Sequence, residues 1–227
     1  MSEDTLRQVR FYLDFVSPYT YLALMRAHEF ARANQMEWQL RPVVYGALLD
    51  ATGLVGPVEA PAKRRYTHRD ILRSARLSGI PLAGPPEHPF RSLEALRTLC
   101  LFRHDQRALE LAVGLAEACW GDGKSLTDLA VIEEVVTGLG LDAAALGERI
   151  SEEAVKLDLH DLTREALESG VFGVPSFEYE GDVFWGHDRL DHLAARLTGE
   201  LVDPGPELDE MERRPSGVTR KSAPNLH

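Results

Sequence analysis

The sequence predicts an α/β fold in which one β-sheet is assembled from both ends of the chain, with a large all-helical insertion between them. Three observations support this prediction. The first 45 residues read as strand, helix, strand; residues 46–169 show mainly helical periodicity; and strand patterns return after residue 170. We therefore expect one domain from residues 1–45 and 170–200, a helical domain from residues 46–169, and a disordered tail over residues 201–227.

The N-terminal elements follow from local patterns. Residues 9–15 (VRFYLDF) are aromatic and β-branched, which predicts a central strand. Serine is a favoured N-cap and proline a favoured first helical residue, so a helix should begin at Ser17 and Pro18. Residues 37–44 read as a second strand. Together these segments predict a βαβ unit with parallel strands and a right-handed crossover.

The remaining elements come from changes in periodicity. Residues 46–62 are rich in Gly, Pro and Ala, which predicts an irregular loop with one helical turn. Residues 60–77 and 92–167 read as helices, with breaks at residues 121–123 and 138–140. Residues 174–179 and 183–185 predict a β-hairpin turning at Gly181, and a last helix covers residues 188–197. Four prolines among charged residues predict the disordered tail.

Composition limits the classes of function. The chain has 36 acidic and 25 basic residues, a formal charge of −11, which disfavours nucleic acid and anionic membranes as partners. No run approaches the ~20 apolar residues that span a bilayer. Cys100 and Cys119 lie outside any C-x-x-C pair, which predicts buried free thiols and a reducing, cytoplasmic location. No metal-ligand spacing appears, and His68, His88 and His104 are predicted to lie on the surface.

Three short segments could carry chemistry. Ser17 stands between a strand and a helix, where free backbone N–H groups and the helix dipole stabilise an anion such as a thiolate, although a plain N-cap has the same pattern. Pro175 stands at the start of a strand, where a cis bond would turn the Val174 backbone toward an extended ligand; an ordinary trans proline is the alternative. Asp188 could cap the last helix or bind the ammonium of an amino-acid moiety, and His187 beside it could face solvent.

The phrases FYLDFVSPYTYLA, RPVVYGALL, PAKRRY, GVFGVPSF and FWGHDRLD, spread over residues 9–200, resemble the 2-hydroxychromene-2-carboxylate isomerases and the related kappa-class glutathione transferases. The resemblance implies a thioredoxin fold interrupted by a large helical insertion, akin to the disulfide oxidoreductases. Ser17 would stand where those relatives place the first cysteine of C-x-x-C. Because this segment reads Ser17-Pro18-Tyr19-Thr20, the chain cannot cycle a disulfide of its own there.

The resemblance also implies roles in binding glutathione. The Ser17 hydroxyl would hydrogen-bond the sulfur, and Val174 before a cis Pro175 would pair with the cysteinyl part. Asp188 would take the γ-glutamyl ammonium with help from His187, and Lys63 would approach a carboxylate. Tyr19 and Trp185, within the same motifs, are expected to contact a small aromatic substrate. A homodimer is what the family suggests.

Departures from the family pattern leave three functions open. Leu54 stands where relatives commonly carry asparagine, another asparagine near Arg91 and Ser92 is replaced, and His187 and Ser176 also differ. The leading prediction is a glutathione-dependent isomerase of an aromatic-degradation intermediate. The alternatives are a transferase or peroxidase of kappa type, and a non-catalytic binding protein on the same fold.

Overall fold

The computed structural model describes residues 6–202, 204–215 and 217. The strands are β1 Arg7–Leu13, β2 Met36–Pro42, β3 Ser176–Tyr179 and β4 Asp182–Trp185. The α-helices are α1 Pro18–Asn34, α2 Tyr45–Thr52, α3 Pro61–Ser78, α4 Leu93–Phe102, α5 Ala108–Ala116, α6 Leu129–Gly138, α7 Leu146–Arg149, α8 Glu153–Glu168, α9 Leu190–Leu197 and α10 Gly205–Glu212. A π-helical turn, Glu117–Gly121, extends α5, and a 3₁₀ turn, His187–Arg189, precedes α9.

The four strands form one mixed sheet in the order β2-β1-β3-β4. Strand β1 is parallel to β2 and antiparallel to β3, and β3 is antiparallel to β4. The sheet thus joins both ends of the chain, as predicted. Ser176 at the start of β3 is opposite Tyr12 on one side and Trp185 on the other. This register brings the ends of β1, β2 and β4 and the start of β3 to the same end of the sheet.

Both faces of the central strand are covered, which explains why the segment around β1 is an almost continuous apolar run. Val9, Phe11 and Leu13 point into the larger core, which includes residues of α1, α4 and α5. Tyr12 points to the opposite face, where it packs in a smaller cluster with Val43, Ala166 and other residues. Full burial of one such side chain contributes about 1.5–3 kcal/mol, so this packing stabilises the end of the sheet that carries the site.

The loop predicted over residues 46–62 differs from the structure, because two turns of helix α2 begin directly after β2. The local sequence gives no cap for this helix: its N-cap residue is Val44, whose side chain makes no capping hydrogen bond. The acceptor comes from elsewhere in the chain, since the Asp14 carboxylate accepts from the Tyr45 backbone N–H at 2.9 Å. A window of neighbouring residues does not contain that information.

Part of the predicted tail forms α10, an exposed helix with no buried side chain, and disorder of the tail stays a prediction. Pro206 stands in the first turn of this helix, where a missing N–H costs nothing, so the proline favours helix initiation here. Residues 203, 216 and 218–227 of the predicted tail lie outside the described residues. Across the described part of the chain, no helix combines the length and the hydropathy needed to cross a membrane.

Candidate functional site

A cavity of about 800 Å³ opens at the end of the sheet that carries the ends of β1, β2 and β4 and the start of β3. Its walls come from the β1–α1 turn, the start of α2, the inner face of α3, residues 88–93, and the segments around β3 and β4. All of the predicted site residues except one line it, namely Ser17, Tyr19, Val174, Pro175, Trp185, His187 and Asp188. The exception is Lys63, which is exposed on the first turn of α3, one turn before the lining residue Thr67.

Ser17 is the N-cap of α1, as predicted, and Pro18 is the first residue of the helix. The Ser17 hydroxyl accepts a hydrogen bond from the Thr20 N–H at 3.4 Å and donates one to the Val174 carbonyl at 3.2 Å. The Val174–Pro175 peptide bond is cis, which agrees with the implication of the resemblance. A buried hydroxyl therefore lies at the positive end of a 17-residue helix, against the backbone of the segment that precedes β3.

Neither cysteine of the chain lines the cavity. Cys100 and Cys119 are free and buried in the helical part of the chain, where burial raises the pKa of each thiol to about 12. A buried thiol with such a pKa carries almost no thiolate at neutral pH. Any thiol chemistry at this site must therefore use a sulfur supplied by a ligand.

Asp14 is a site residue that the sequence reading missed. Its carboxylate is 2% exposed, and it accepts hydrogen bonds from the Val16 N–H at 3.1 Å, the Tyr45 N–H at 2.9 Å and the Ser92 hydroxyl at 2.5 Å. Burial raises the pKa of Asp14, and the hydrogen bonds that it accepts oppose the rise. Asp14 thus joins the turn before Ser17 to the starts of α2 and α4. The available signal was a charged residue within an apolar strand segment.

The turn before Ser17 is also held through its carbonyl groups. The Trp120 indole donates to the Phe15 carbonyl at 2.8 Å, and His88 Nε2 contacts the Val16 carbonyl at 3.0 Å. Because a carbonyl only accepts, Nε2 carries the proton, and burial lowers the pKa of His88, which favours the neutral ring. The predicted surface position is therefore wrong for His88, which is half-buried and lines the cavity.

Tyr19 connects three elements around the cavity. Its ring stacks on His187 with the centroids 5.3 Å apart and the planes 7° from parallel. Its hydroxyl donates to Asp70 Oδ2 on α3 at 2.8 Å. Burial, followed by the Asp70 hydrogen bond, raises the pKa of Tyr19, and burial lowers the pKa of His187. Both rings are therefore neutral near pH 7, so they act as an uncharged platform between Ser17 and the loop that carries Asp188.

Asp188 does not cap the last helix. It lies in the 3₁₀ turn, while α9 begins at Leu190 with Arg189 as an N-cap that makes no side-chain capping bond. The Asp188 carboxylate lines the cavity and pairs with Arg189 at 3.1 Å. Gly186 has a φ of +112°, and a Cβ there would lie 2.5 Å from Asp188 Oδ1, so a larger residue would be strained and would displace this carboxylate.

Trp185 forms the rim of the same region. Its indole packs on the backbone of Gly173, where an added Cβ would lie 2.6 Å from Nε1, and meets Phe172 edge to face at 4.9 Å. Half of the Trp185 side chain remains exposed. The lack of a side chain at Gly173 therefore allows the indole to approach the backbone closely.

Comparison with known proteins agrees with this architecture. The family model described as "DSBA-like thioredoxin domain" matches residues 8–198. A protein named 2-hydroxychromene-2-carboxylate isomerase from Pseudomonas putida is 30% identical over 203 residues, covering 88% of this chain and 98% of the relative. "Glutathione s-transferase kappa 2" of Caenorhabditis elegans is 26% identical over 211 residues, covering 86% of this chain and 94% of the relative.

A solved structure described as 2-hydroxychromene-2-carboxylate isomerase superimposes with a TM-score of 0.78 at 28% identity, covering 88% of this chain and 98% of that one. The match confirms the predicted thioredoxin fold with its helical insertion. From the extent of these matches, the chain belongs to the DSBA-like thioredoxin family, together with the 2-hydroxychromene-2-carboxylate isomerases and the kappa-class glutathione transferases.

Proposed function

We propose that this protein is a glutathione-dependent isomerase that acts on an aromatic-degradation intermediate of the 2-hydroxychromene-2-carboxylate type. The observation that carries the proposal is the contact between the Ser17 hydroxyl and the Val174 backbone, inside a cavity of about 800 Å³. The names of the relatives support both halves of the proposal, since some are isomerases and others glutathione transferases.

Glutathione would bind along the β3–β4 side of the cavity. Its cysteinyl residue would pair with the Val174 backbone, and an incoming N–H would replace the Ser17 hydroxyl on the Val174 carbonyl. The freed hydroxyl could then donate to the sulfur. Asp188, which projects into the cavity from the 3₁₀ turn, would bind the γ-glutamyl ammonium. A glutathione carboxylate would reach toward Lys63 at the exposed end of α3; this contact remains a prediction.

The position of the sulfur explains why it would ionise. A free thiol has a pKa near 8.5, so lowering it by about one to two units gives mostly thiolate at neutral pH. The hydroxyl hydrogen bond and the N-terminus of α1 both favour the anion over the thiol. Since the neighbouring Tyr19 and His187 rings are neutral, they do not oppose this effect with a negative charge.

The thiolate would add to the carbon–carbon double bond conjugated with a substrate carbonyl. A C–S bond forms, the π electrons move to the carbonyl oxygen as an enolate, and the former double bond becomes free to rotate. Collapse of the enolate breaks the C–S bond, which restores the alkene in its other geometry and regenerates the glutathione thiolate. Glutathione is therefore not consumed, and no oxidant or reductant is required.

Calorimetric titration with reduced glutathione tests the cofactor site. We expect saturable binding at millimolar or tighter affinity in the wild type, and weaker binding in Asp188→Ala because the ammonium loses its partner. Absence of heat at cellular glutathione concentrations would contradict the proposal and favour the non-catalytic binding protein. Conversion of 2-hydroxychromene-2-carboxylate, followed by absorbance with and without glutathione, then tests the reaction.

A kappa-type transferase is the second candidate, because proteins of that name cover the chain almost as fully as the isomerases do. Product analysis distinguishes the two functions: a stable conjugate or oxidised glutathione indicates a transferase or peroxidase, and unchanged glutathione indicates an isomerase. The free, buried cysteines favour a reducing, cytoplasmic setting. The family resemblance favours a homodimer, which sedimentation of the purified protein would test.

A further inference from the structure

The cavity has two chemically different ends. One end is formed by Gly186–Arg189 after β4, where the proposed glutathione site lies. The other end is formed by residues 88–93 together with α2 and the loop that follows it. Because β4 and β1 are two strand spacings apart, roughly 10 Å, a ligand at one end leaves room for a second ligand at the other.

The wall made by residues 88–92 is fixed to the turn that carries Ser17. At its start, His88 Nε2 donates to the Val16 carbonyl at 3.0 Å. At its end, the Ser92 hydroxyl donates to Asp14 at 2.5 Å. Between these two hydrogen bonds stands Arg91, which lines the cavity. The backbone of Arg91 is therefore held close to the reaction centre even though its side chain is two-thirds exposed.

Two arginines, Arg91 and Arg189, line the cavity, and Arg189 pairs with Asp188. The other lining carboxylates, Asp14, Glu59 and Asp70, accept hydrogen bonds from protein groups other than Arg91.

The guanidinium of Arg91 pairs through one Nη with Glu94, on the first turn of α4. A guanidinium has five N–H donors and this pair uses only one Nη, so donors on the two-thirds exposed side chain remain available to a ligand.

The surroundings of Arg91 are apolar. Tyr45, Leu49, Val58, Phe90 and Leu93 line the cavity at the same end. A flat apolar group is therefore matched by the wall, and a negative group by the guanidinium, whose planar fork can bind a carboxylate through two parallel hydrogen bonds.

We propose that Arg91 is a specificity-determining residue that binds a carboxylate on the second ligand, so that the site selects aromatic acids over their neutral analogues. This proposal rests on the proposed function, and it adds the residue that recognises the acid group. It places the carboxylate at the end of the cavity away from Asp188, with the ring against Phe90 and Leu93 and the reactive double bond toward Ser17.

The test uses chromone-2-carboxylate and its methyl ester, a matched pair that differ in charge. Each is titrated calorimetrically into wild type, Arg91→Gln and Arg73→Gln, with and without saturating glutathione. Arg73 is an exposed α3 residue that does not line the cavity, so its replacement controls for the loss of one positive charge. We expect the wild type to prefer the acid over the ester, and Arg91→Gln to weaken the acid about tenfold or more while leaving the ester unchanged.

Equal binding of acid and ester by the wild type would overturn the proposal, and so would an equal loss of both in Arg91→Gln, a loss in Arg73→Gln of the same size, or no binding of either ligand. Thermal unfolding of each variant checks that it remains folded. Glutathione binding is read separately: if it fails while the acid still depends on Arg91, the glutathione proposal falls and the carboxylate site stands.

Discussion

Replacing Ser17 with alanine separates its structural role from its proposed chemical role. The change removes the N-cap of α1 and the hydrogen bond to the Val174 carbonyl. Loss of a serine cap costs about 1 kcal/mol, and loss of a neutral hydrogen bond about another 1 kcal/mol. The unfolding free energy should therefore fall by roughly 1–2 kcal/mol, which a domain of ordinary stability tolerates.

The effect on chemistry should be larger. A hydrogen bond to a charged group contributes about 1.5–3 kcal/mol, so Ser17→Ala should raise the pKa of bound glutathione by about one to two units. Turnover should fall roughly 10- to 150-fold. The thiol pKa is measured from thiolate absorbance during a pH titration of the glutathione complex, and stability is measured by chemical denaturation of the same preparations.

Asp128→Ala is the matched control. Asp128 is the exposed N-cap of α6, its carboxylate accepts from the Ala130 N–H at 3.0 Å, and it does not line the cavity. This variant should lose about 1 kcal/mol of stability with turnover unchanged. If Ser17→Ala lowers turnover no more than Asp128→Ala does, or leaves the thiol pKa where it was, then Ser17 is only a helix cap and the proposed role is wrong.

Three further predictions concern Asp14 and Gly186, which both line the cavity. Asp14→Ala leaves three donors without their acceptor, so the unfolding free energy should fall by about 3 kcal/mol. A loss below about 1 kcal/mol, measured by denaturant unfolding, would contradict the role given to Asp14. Because burial raises the pKa of Asp14, ionisation of this side chain opposes folding. The stability linked to its protonation is fully present below the unfolded pKa near 4 and is lost as pH rises through the higher folded value, and Asp14→Asn, measured across that range, should lack this decline. Gly186→Ala should weaken glutathione binding about tenfold, because its Cβ would displace the Asp188 carboxylate. The control is Gly181→Ala, which is strained at φ +85° but has nothing within 4 Å of the added Cβ, so it should lose stability without losing affinity. Equal glutathione affinities of the two variants would count against the Asp188 site.

Local patterns were sufficient for several elements of the fold. The start of α1 at Ser17 and Pro18 depends on interactions within one helical turn, so the sequence alone could identify it. The breaks near residues 121 and 138 were likewise visible, because α5 with its π-helical turn ends at Gly121 and α6 ends at Gly138. The strands were found with their ends shifted by up to two residues, since the turn before Ser17 looks like strand in composition.

Other features depended on contacts between distant parts of the chain. Helix α2 was predicted as no more than one helical turn because the acceptor for its Tyr45 N–H, Asp14, lies 31 residues away. His88 looked like a surface histidine because nothing in its own segment shows that Val16 receives its N–H. Asp70 was passed over for the same reason, since its partner Tyr19 belongs to another helix.

The sequence by itself therefore determined the α/β class, the insertion between two halves of a sheet, and the N-cap position of Ser17, all of which depend on hydrophobic periodicity and one-turn hydrogen bonds. The tertiary structure decided which groups meet Ser17. The register of β3 against β1 brings Val174 to the hydroxyl, the helical insertion brings His88 and Arg91 to the opposite wall, and the failure of Asp188 to cap α9 leaves its carboxylate in the cavity. These groups lie far apart in the sequence, so they come together only when the sheet and the helical insertion are packed in the folded protein.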